Sequence, residues 1–103
     1  MTMPETTIDP ADCTNMVEVR EGVDAVDHAL VDLLVRRFGY MDAAARIKPE
    51  RGEVRDEPRK AAVIDAAAER AAAAGLPENV IRDLWEQLVE SSIAYELERF
   101  DER

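Results

Sequence analysis

The sequence has few of the residues from which disulfides, metal sites and sheets are built. Cys13 is its single cysteine and His28 its single histidine, which argues against an intrachain disulfide, a cysteine-based metal site and a histidine cluster. There are only four glycines, and no segment alternates apolar and polar residues for long enough to predict a strand. No uncharged run approaches the ~20 apolar residues of a membrane span. We therefore expect a helical protein without a metal site or a membrane segment.

The first ten residues also lack the features of a targeting segment. They are acidic and polar, and they have neither the basic start nor the apolar centre of a signal peptide. We therefore expect a soluble protein that resides in the cytoplasm.

Basic residues are outnumbered by acidic ones overall but are concentrated in one region. The net charge is −10, which makes nucleic acid an improbable partner because phosphate backbones are bound by excess lysine and arginine. Residues 36–60 nevertheless contain eight of the 13 basic residues and only five of the 23 acidic ones. This cationic island suggests a small anionic ligand bound locally. An equally ordinary interpretation is that its members are solvated charges of helices and loops.

Apolar periodicity and helix-end signals predict one all-α domain at residues 12–103, after a disordered or frayed tail at residues 1–11. A long first helix begins near Asp12 or Thr14, either of which can cap it, and ends at about Lys48 because Pro49 follows. Residues 50–56 are charged, contain a single apolar residue, and suggest a mobile loop.

Two further helices complete the prediction of long, short and long helices. The second begins at Asp56 or Glu57, where Pro58 is tolerated in the first turn, and ends at Gly75. The third runs from Pro77 or Glu78 to about Phe100.

The apolar face of the first helix is interrupted by an arginine. At alternating steps of three and four, this seam comprises Met16, Val19, Val23, Val26, Leu30, Leu33, Arg37, Tyr40, Ala44 and Ile47. Residues 14–48 would span roughly 50 Å as a helix, whereas a compact chain of this size has a radius of gyration of about 13 Å. The helix is too long for its own chain to cover, so we expect a partner chain.

Arg37 on the first seam and Glu96 on the third helix both interrupt faces that are otherwise apolar. A buried charge costs several kcal/mol unless it is compensated, so the two residues either pair with each other, or Arg37 extends to solvent, or both line a polar pocket. Arg20 lies seventeen residues before Arg37, roughly 25 Å along the helix axis. An antiparallel partner helix would bring Arg20 of one chain towards Arg37 of the other.

The residues resemble the all-helical chorismate mutase class, and especially its branch of isochorismate pyruvate lyases and related proteobacterial mutases. The segments that carry the resemblance are DCTNMVEVREGVDAVD at 12–27, LLVRRFGYMDAAARIK at 33–48, VRDEPRK at 54–60 and LWEQLVESSIAYE at 84–96. The resemblance implies an intertwined homodimer with two equivalent sites, each of which borrows an arginine from the other subunit. It also implies a dianionic substrate, chorismate or isochorismate, and a one-step pericyclic reaction without metal or cofactor.

The resemblance also assigns roles to seven residues. Arg37 and Arg59 would bind the two substrate carboxylates together with Arg20 borrowed from the partner subunit. Lys48 would donate to the ether oxygen and to a carboxylate.

The other three roles are carried by Asp56, Ser92 and Glu96. Asp56 would contact the substrate hydroxyl and Ser92 a carboxylate, while Glu96 occupies a position where many members have glutamine. Lys60 falls where some mutases have a glutamate. Since glutamate can donate a hydrogen bond only when protonated, we predict that activity rises towards acidic pH and that Glu96→Gln flattens the profile.

Three functions follow from these considerations. Chorismate mutase is favoured by the VRD segment at 54–56 and by Ser92, whereas DCT at 12–14 and RRFGYMDAAARIK at 36–48 favour isochorismate pyruvate lyase. The third is a non-catalytic helical dimer that uses the same scaffold, because fold does not by itself determine function.

Overall fold

The computed structural model describes residues 7–103, and all of the regular structure in that range is helical. The α-helices are α1 (Met16–Ile47), α2 (Glu57–Ala73) and α3 (Glu78–Asp101), with 3-10 turns at Pro10–Asp12 and Arg51–Glu53. The predicted all-α class with a long, a shorter and a long helix is thereby confirmed. None of these helices has an apolar stretch long enough to cross a membrane. The chain divides into two compact units, one up to Gly39 and one at Tyr40–Arg103, which are described separately below.

α1 begins with a reciprocal cap built from three polar residues. The Asn15 side chain accepts the Glu18 N–H at 2.9 Å, while the Glu18 carboxylate accepts the backbone N–H and the hydroxyl of Thr14 at 2.8 and 2.9 Å. The pKa of Glu18 is lowered mainly by the hydrogen bond that its carboxylate accepts from the backbone N–H of Thr14. The N-cap is therefore Asn15, where the sequence had suggested Asp12 or Thr14, because Asn15 directly precedes the first helical residue and its side chain reaches the N3 amide.

The residues before α1 form a short turn. Pro10–Asp12 is a 3-10 turn in which the Asp12 N–H donates to the Asp9 carbonyl at 2.9 Å. A proline at the first position of the turn fixes its φ angle, so residues 10 and 11 of the expected frayed tail have a turn conformation in the structure. The part of that prediction that concerns residues 1–6 lies outside the described residues.

The unit up to Gly39 exposes most of the apolar seam of α1. Met16, Val23 and Leu30 are each at least half exposed, and the remaining seam residues of the unit, Val19, Val26 and Leu33, are at least a third exposed. Val19, Val23 and Val26 also line a groove of about 430 Å³ beside Cys13. Contiguous apolar surface of this kind usually marks an interaction site.

In the unit Tyr40–Arg103, α2 and α3 pack on a small apolar core. Val54, Ile64, Val89 and Ile93 form its buried centre, and burial of each such side chain contributes roughly 1.5–3 kcal/mol. Val63, Trp85, Leu97 and Phe100 surround that centre. Ala68 and Ala71 of α2 are also buried, as expected for small side chains that allow close helix approach.

Both ends of α2 follow the chemistry that the sequence predicted. Asp56 is its N-cap and accepts the Arg59 N–H at 3.0 Å. At the C-terminus, Gly75 has φ +85°, and the N–H groups of Gly75 and Leu76 bond the carbonyls of Ala72 and Ala71. This is the Schellman arrangement that a glycine just beyond a helix makes possible.

The connection between α1 and α2 is anchored, and the prediction of a mobile loop there is wrong. Val54 is only 4% exposed and belongs to the core. Arg51 forms two hydrogen bonds with Asp101 at 2.8 and 3.1 Å, and Arg55 forms two with Glu90 at 2.9 and 3.0 Å. Both arginines of this charged segment are therefore partners of acids on α3.

Candidate active site

The most deeply buried charge among the described residues is Glu96 of α3, whose partner lies at the end of α1. Lys48 directly follows the helix, and its Nζ donates to Oε2 of Glu96 on α3 at 2.8 Å. The Glu96 side chain is 5% exposed and that of Lys48 30% exposed. Lys48 thus compensates a carboxylate whose burial would otherwise be costly.

Ser92 lies one helical turn before Glu96, on the same face of α3. It is 3% exposed, and its hydroxyl donates to the Leu88 carbonyl at 2.7 Å. Since residues four apart on a helix are neighbours, Ser92 and Glu96 form a buried polar strip next to the apolar core. This strip is the polar interruption of α3 that the sequence pattern predicted.

Asp56 and Arg59 lie at the start of α2. The carboxylate of Asp56 accepts the backbone N–H of Arg59, so Asp56 has a structural role as a cap whatever else it does. The Arg59 side chain is exposed, and no hydrogen bond or ion pair of its guanidinium occurs within residues 7–103.

Some basic residues of the cationic island at residues 36–60 form ion pairs with acids of α3, and others do not. The pairs with acids of α3 are Lys48–Glu96, Arg51–Asp101, Arg55–Glu90, Lys60–Glu86 and Lys60–Glu90. Hydrogen bonds from Arg55 and then Lys60 lower the pKa of Glu90 to about 2, and those with Glu86 and Glu90 raise the pKa of Lys60. Arg46 and Arg59 form no ion pair within the described residues of this unit.

Arg20 and Arg37 belong to the unit up to Gly39. Arg20 is exposed on α1, and Arg37 is partly buried there. Of the seven residues singled out from the sequence, the structure brings Lys48 into contact with Glu96 and places Asp56, Arg59 and Ser92 in the same unit as that pair.

Sequence reasoning missed Arg103, whose guanidinium bonds the backbone at Lys48. It donates to the carbonyls of Ala45, Lys48 and Pro49 at 3.1, 2.6 and 3.2 Å. The signal in the sequence was Pro49, which has no N–H and leaves a helical carbonyl without its usual donor. The identity of the substitute donor, more than fifty residues away, could not be found from that signal.

The donors for a metal site are not assembled in this part of the chain. Within residues 7–103, no group of three or more histidine, cysteine, aspartate or glutamate side chains could hold a metal ion. The Lys48–Glu96 pair itself supplies hydrogen-bond donors and fixed charges.

Comparison with known proteins agrees with the resemblance seen in the sequence. Residues 19–97 match the family described as chorismate mutase type II. The chain is 32% identical over 88 residues to isochorismate pyruvate lyase from Pseudomonas aeruginosa, and the alignment covers 85% of this chain and 87% of that protein. The matched region contains Arg20, Lys48 and Glu96 and extends over all three helices. The chain therefore belongs to the chorismate mutase type II family.

Proposed function

We propose that the protein catalyses the rearrangement of chorismate to prephenate in a cationic pocket shared between two subunits. The observation that carries the proposal is the buried Lys48–Glu96 pair, which lies at the end of α1 in a chain of the chorismate mutase type II family. The pair presents a fixed ammonium group beside a buried polar strip, and that is the arrangement needed to stabilise developing negative charge on an oxygen atom.

The rearrangement breaks one C–O bond and forms one C–C bond within a single molecule, so no atom has to be supplied or removed. Lys48 has three N–H donors, of which one is used by Glu96. The remaining donors are available to the ether oxygen, where charge develops as the C–O bond breaks, and to a neighbouring carboxylate. Such preorganised donors contribute roughly 3–4 kcal/mol each to transition-state stabilisation in other enzymes.

Glu96 controls how much positive charge Lys48 presents. As an ionised carboxylate it orients the ammonium group and offsets its charge. Once protonated, it no longer offsets that charge, and its O–H is a second donor to the ether oxygen. The acid-favoured activity expected from the sequence follows from both effects.

The arginines supply recognition of the substrate's two carboxylates. Arg59 is exposed and has no acid partner in the described part of the chain, which suits bidentate pairing with a carboxylate. Arg37 and the partner subunit's Arg20 complete the proposed set. Ser92 and Asp56 contact a carboxylate and the hydroxyl of the substrate.

The shared site requires a homodimer in which the α1 helices of the two subunits intertwine. The half-exposed seam of α1 up to Leu33 supplies the apolar surface for such an interface. The separation of about 25 Å between positions 20 and 37 along one helix explains why Arg20 must come from the second subunit.

Subunit complementation tests the shared site. Arg20→Ala and Lys48→Ala should each remove most of the activity of the homodimer, but a mixed dimer of the two variants contains one site with both residues intact. Random reassociation should therefore restore about a quarter of the wild-type activity, because half of the dimers are mixed and each has one working site. No recovery in a mixture whose mixed dimers are verified by mass spectrometry would contradict a site shared between subunits.

Isochorismate pyruvate lyase is the second candidate, and the observation that favours it is the 32% identity to a protein of that name. Its products, salicylate and pyruvate, together contain the atoms of isochorismate, so this reaction also breaks a C–O bond without a co-reactant. Incubation with each substrate separately, followed by chromatography of prephenate, salicylate and pyruvate, distinguishes the two activities. Release of salicylate alone would replace the proposed function with the lyase.

A non-catalytic dimer on this scaffold is the third candidate. The presence of all the proposed cations argues against it. Lys48→Ala and Arg37→Ala supply the test, because each should lower turnover by about 100-fold or more if the proposed site is catalytic. A wild-type protein that turns over neither substrate would establish the non-catalytic alternative.

A further inference from the structure

The C-terminal end of α1 lacks a helical hydrogen-bond donor. In a continuing helix, the N–H of residue 49 would donate to the carbonyl of Ala45, but residue 49 is a proline and has no N–H. Ala45 is 2% exposed, so water has little access to that carbonyl. A buried carbonyl needs a partner from elsewhere in the chain.

Arg103 supplies the missing donors. Its Nη1 donates to Ala45 O at 3.1 Å and to Lys48 O at 2.6 Å, and its Nη2 donates to Pro49 O at 3.2 Å. The guanidinium carbon lies 3.7 Å from the centroid of the Phe100 ring, which holds the group in a fixed plane. The planar fork of arginine thus joins the last turn of α1 to the two residues that follow it.

Arg103 lies two residues beyond the end of α3 and continues a line of polar contacts between α3 and the last turns of α1. One turn earlier, Arg99 pairs with Asp42 at 3.3 Å, and one turn earlier again the Tyr95 hydroxyl donates to Asp42 at 2.9 Å. The neighbour of Tyr95 in the sequence is Glu96, the partner of the Lys48 ammonium. The backbone and the side chain of Lys48 are therefore both held by α3.

We infer that Arg103 is a positioning residue for Lys48. It fixes the backbone on both sides of Lys48 and so sets where the ammonium group lies between Glu96 and the substrate. The consequence for turnover rests on the proposed function, whereas the consequence for the placement of the Lys48 side chain does not.

Arg46 provides a matched control. It lines the same surface cavity as Arg103, of about 440 Å³, and carries the same charge. Within residues 7–103 its guanidinium forms no hydrogen bond or ion pair. Arg46→Ala therefore changes the charge of this surface without changing the donors at the end of α1.

The first readout is the steady-state kinetics of Arg103→Ala, Arg103→Lys and Arg46→Ala in the full chain. A displacement of about 1 Å can cost up to 100-fold in rate, so Arg103→Ala should lower kcat roughly 10- to 100-fold while KM changes by less than about threefold. Arg103→Lys should recover part of kcat, because an ammonium group can still donate to the carbonyls. Arg46→Ala should stay within about twofold of the wild type.

A double variant tests whether the effect passes through Lys48. In a Lys48→Ala background, Arg103→Ala should lower the residual rate by less than about twofold, because the side chain that it positions is already absent. Independent, multiplicative losses would show that Arg103 acts on the fold in general and would overturn the inference.

The second readout does not depend on the reaction. The ammonium resonance of Lys48, assigned by its loss in Lys48→Ala, is followed by side-chain 15N NMR. It should shift or broaden in Arg103→Ala and remain unchanged in Arg46→Ala. If Arg103→Ala does not fold by circular dichroism, Arg103→Gln, which retains two N–H donors on a shorter side chain, should show the same change. An unchanged Lys48 resonance in the folded variant would overturn the inference even if the enzyme is a mutase, and a clear change would support it even if no turnover is found.

Discussion

The Lys48–Glu96 pair should respond very differently to the loss of either partner. Lys48→Met removes the charge and retains most of the aliphatic stem, but it leaves a carboxylate that is only 5% exposed without its cation. Removal of one partner of a fully buried pair costs about 3–5 kcal/mol. Since the Lys48 side chain is 30% exposed and the pair is partly solvated, we expect a loss of roughly 2–3 kcal/mol in the free energy of unfolding at neutral pH.

Glu96→Gln, which changes the other partner of the pair, should destabilise the protein much less. Glu96→Gln retains an oxygen that accepts the Lys48 N–H at the observed 2.8 Å, and the Lys48 ammonium group can reach water. The expected loss is below about 1 kcal/mol, the net value of a typical hydrogen bond. In the double variant no buried carboxylate remains, so about 1–2 kcal/mol of the Lys48→Met loss should be recovered, a coupling typical of residues in contact.

Urea denaturation at neutral pH and a fixed protein concentration measures these differences, because the apparent stability of a dimer depends on concentration. Ser91→Ala is a suitable control, since Ser91 is exposed on α3 and its hydroxyl contacts only the Gln87 side chain among the described residues. From most to least stable, the order should be the control, Glu96→Gln, the double variant and Lys48→Met. A Lys48→Met protein as stable as the wild type, or less stability in Glu96→Gln than in Lys48→Met, would refute the assignment of Glu96 as a buried carboxylate compensated by Lys48.

Two further outcomes are expected. Arg59→Lys should raise KM about tenfold through loss of bidentate pairing and should change the free energy of unfolding by less than about 0.5 kcal/mol; an unchanged KM would remove Arg59 from the site. Arg55 and Lys60 lower the pKa of Glu90 from 4.5 to about 2, so the stabilisation is present above pH 4.5 and is lost as the pH falls through 2. In Glu90→Gln, the free energy of unfolding should therefore lack this dependence on acidic pH. A pKa of Glu90 near 4.5, measured by 13C NMR titration of the wild type, would contradict the ion pairs.

The helix boundaries could be predicted because their causes are local in the sequence. Pro49 ends α1, Pro58 lies in the first turn of α2 and Gly75 ends α2 with a positive φ. The N-cap of α1 is not fixed by the sequence, because Thr14 and Asn15 are both suitable capping residues. Only the geometry shows that Asn15 caps the N3 amide while Thr14 donates to Glu18.

The packing of the segment after α1 could not be predicted because its partners are distant in the sequence. Arg51 and Arg55 are charged residues in a charged stretch, and nothing near them indicates that Asp101 and Glu90, on a helix that begins more than twenty residues later, will neutralise them. The same distance hid the pairing of Lys48 with Glu96. Their roles in a site were suggested by resemblance to a family, whereas the contact between them is a property of the fold.

Most basic residues of the cationic island in this unit are paired with acids, and this affects how many chains are needed to form the site. Arg51, Arg55 and Lys60 are each paired with acids of α3, and the charge of Lys48 is offset by Glu96. A dianion with two carboxylates therefore finds few uncompensated cations in the unit Tyr40–Arg103, and Arg59 is the one that the proposed site uses.

Under the proposed function, the remaining positive charge has to come from Arg37 and from Arg20 of the partner subunit. A substitution that separates the subunits would then remove a carboxylate ligand as well as an apolar interface. Val23→Glu, placed on the exposed seam of α1, should abolish turnover at protein concentrations where the variant is monomeric, even where circular dichroism shows that its helices persist. Full activity in a monomer verified by sedimentation would show that one chain carries enough cations to bind the substrate by itself.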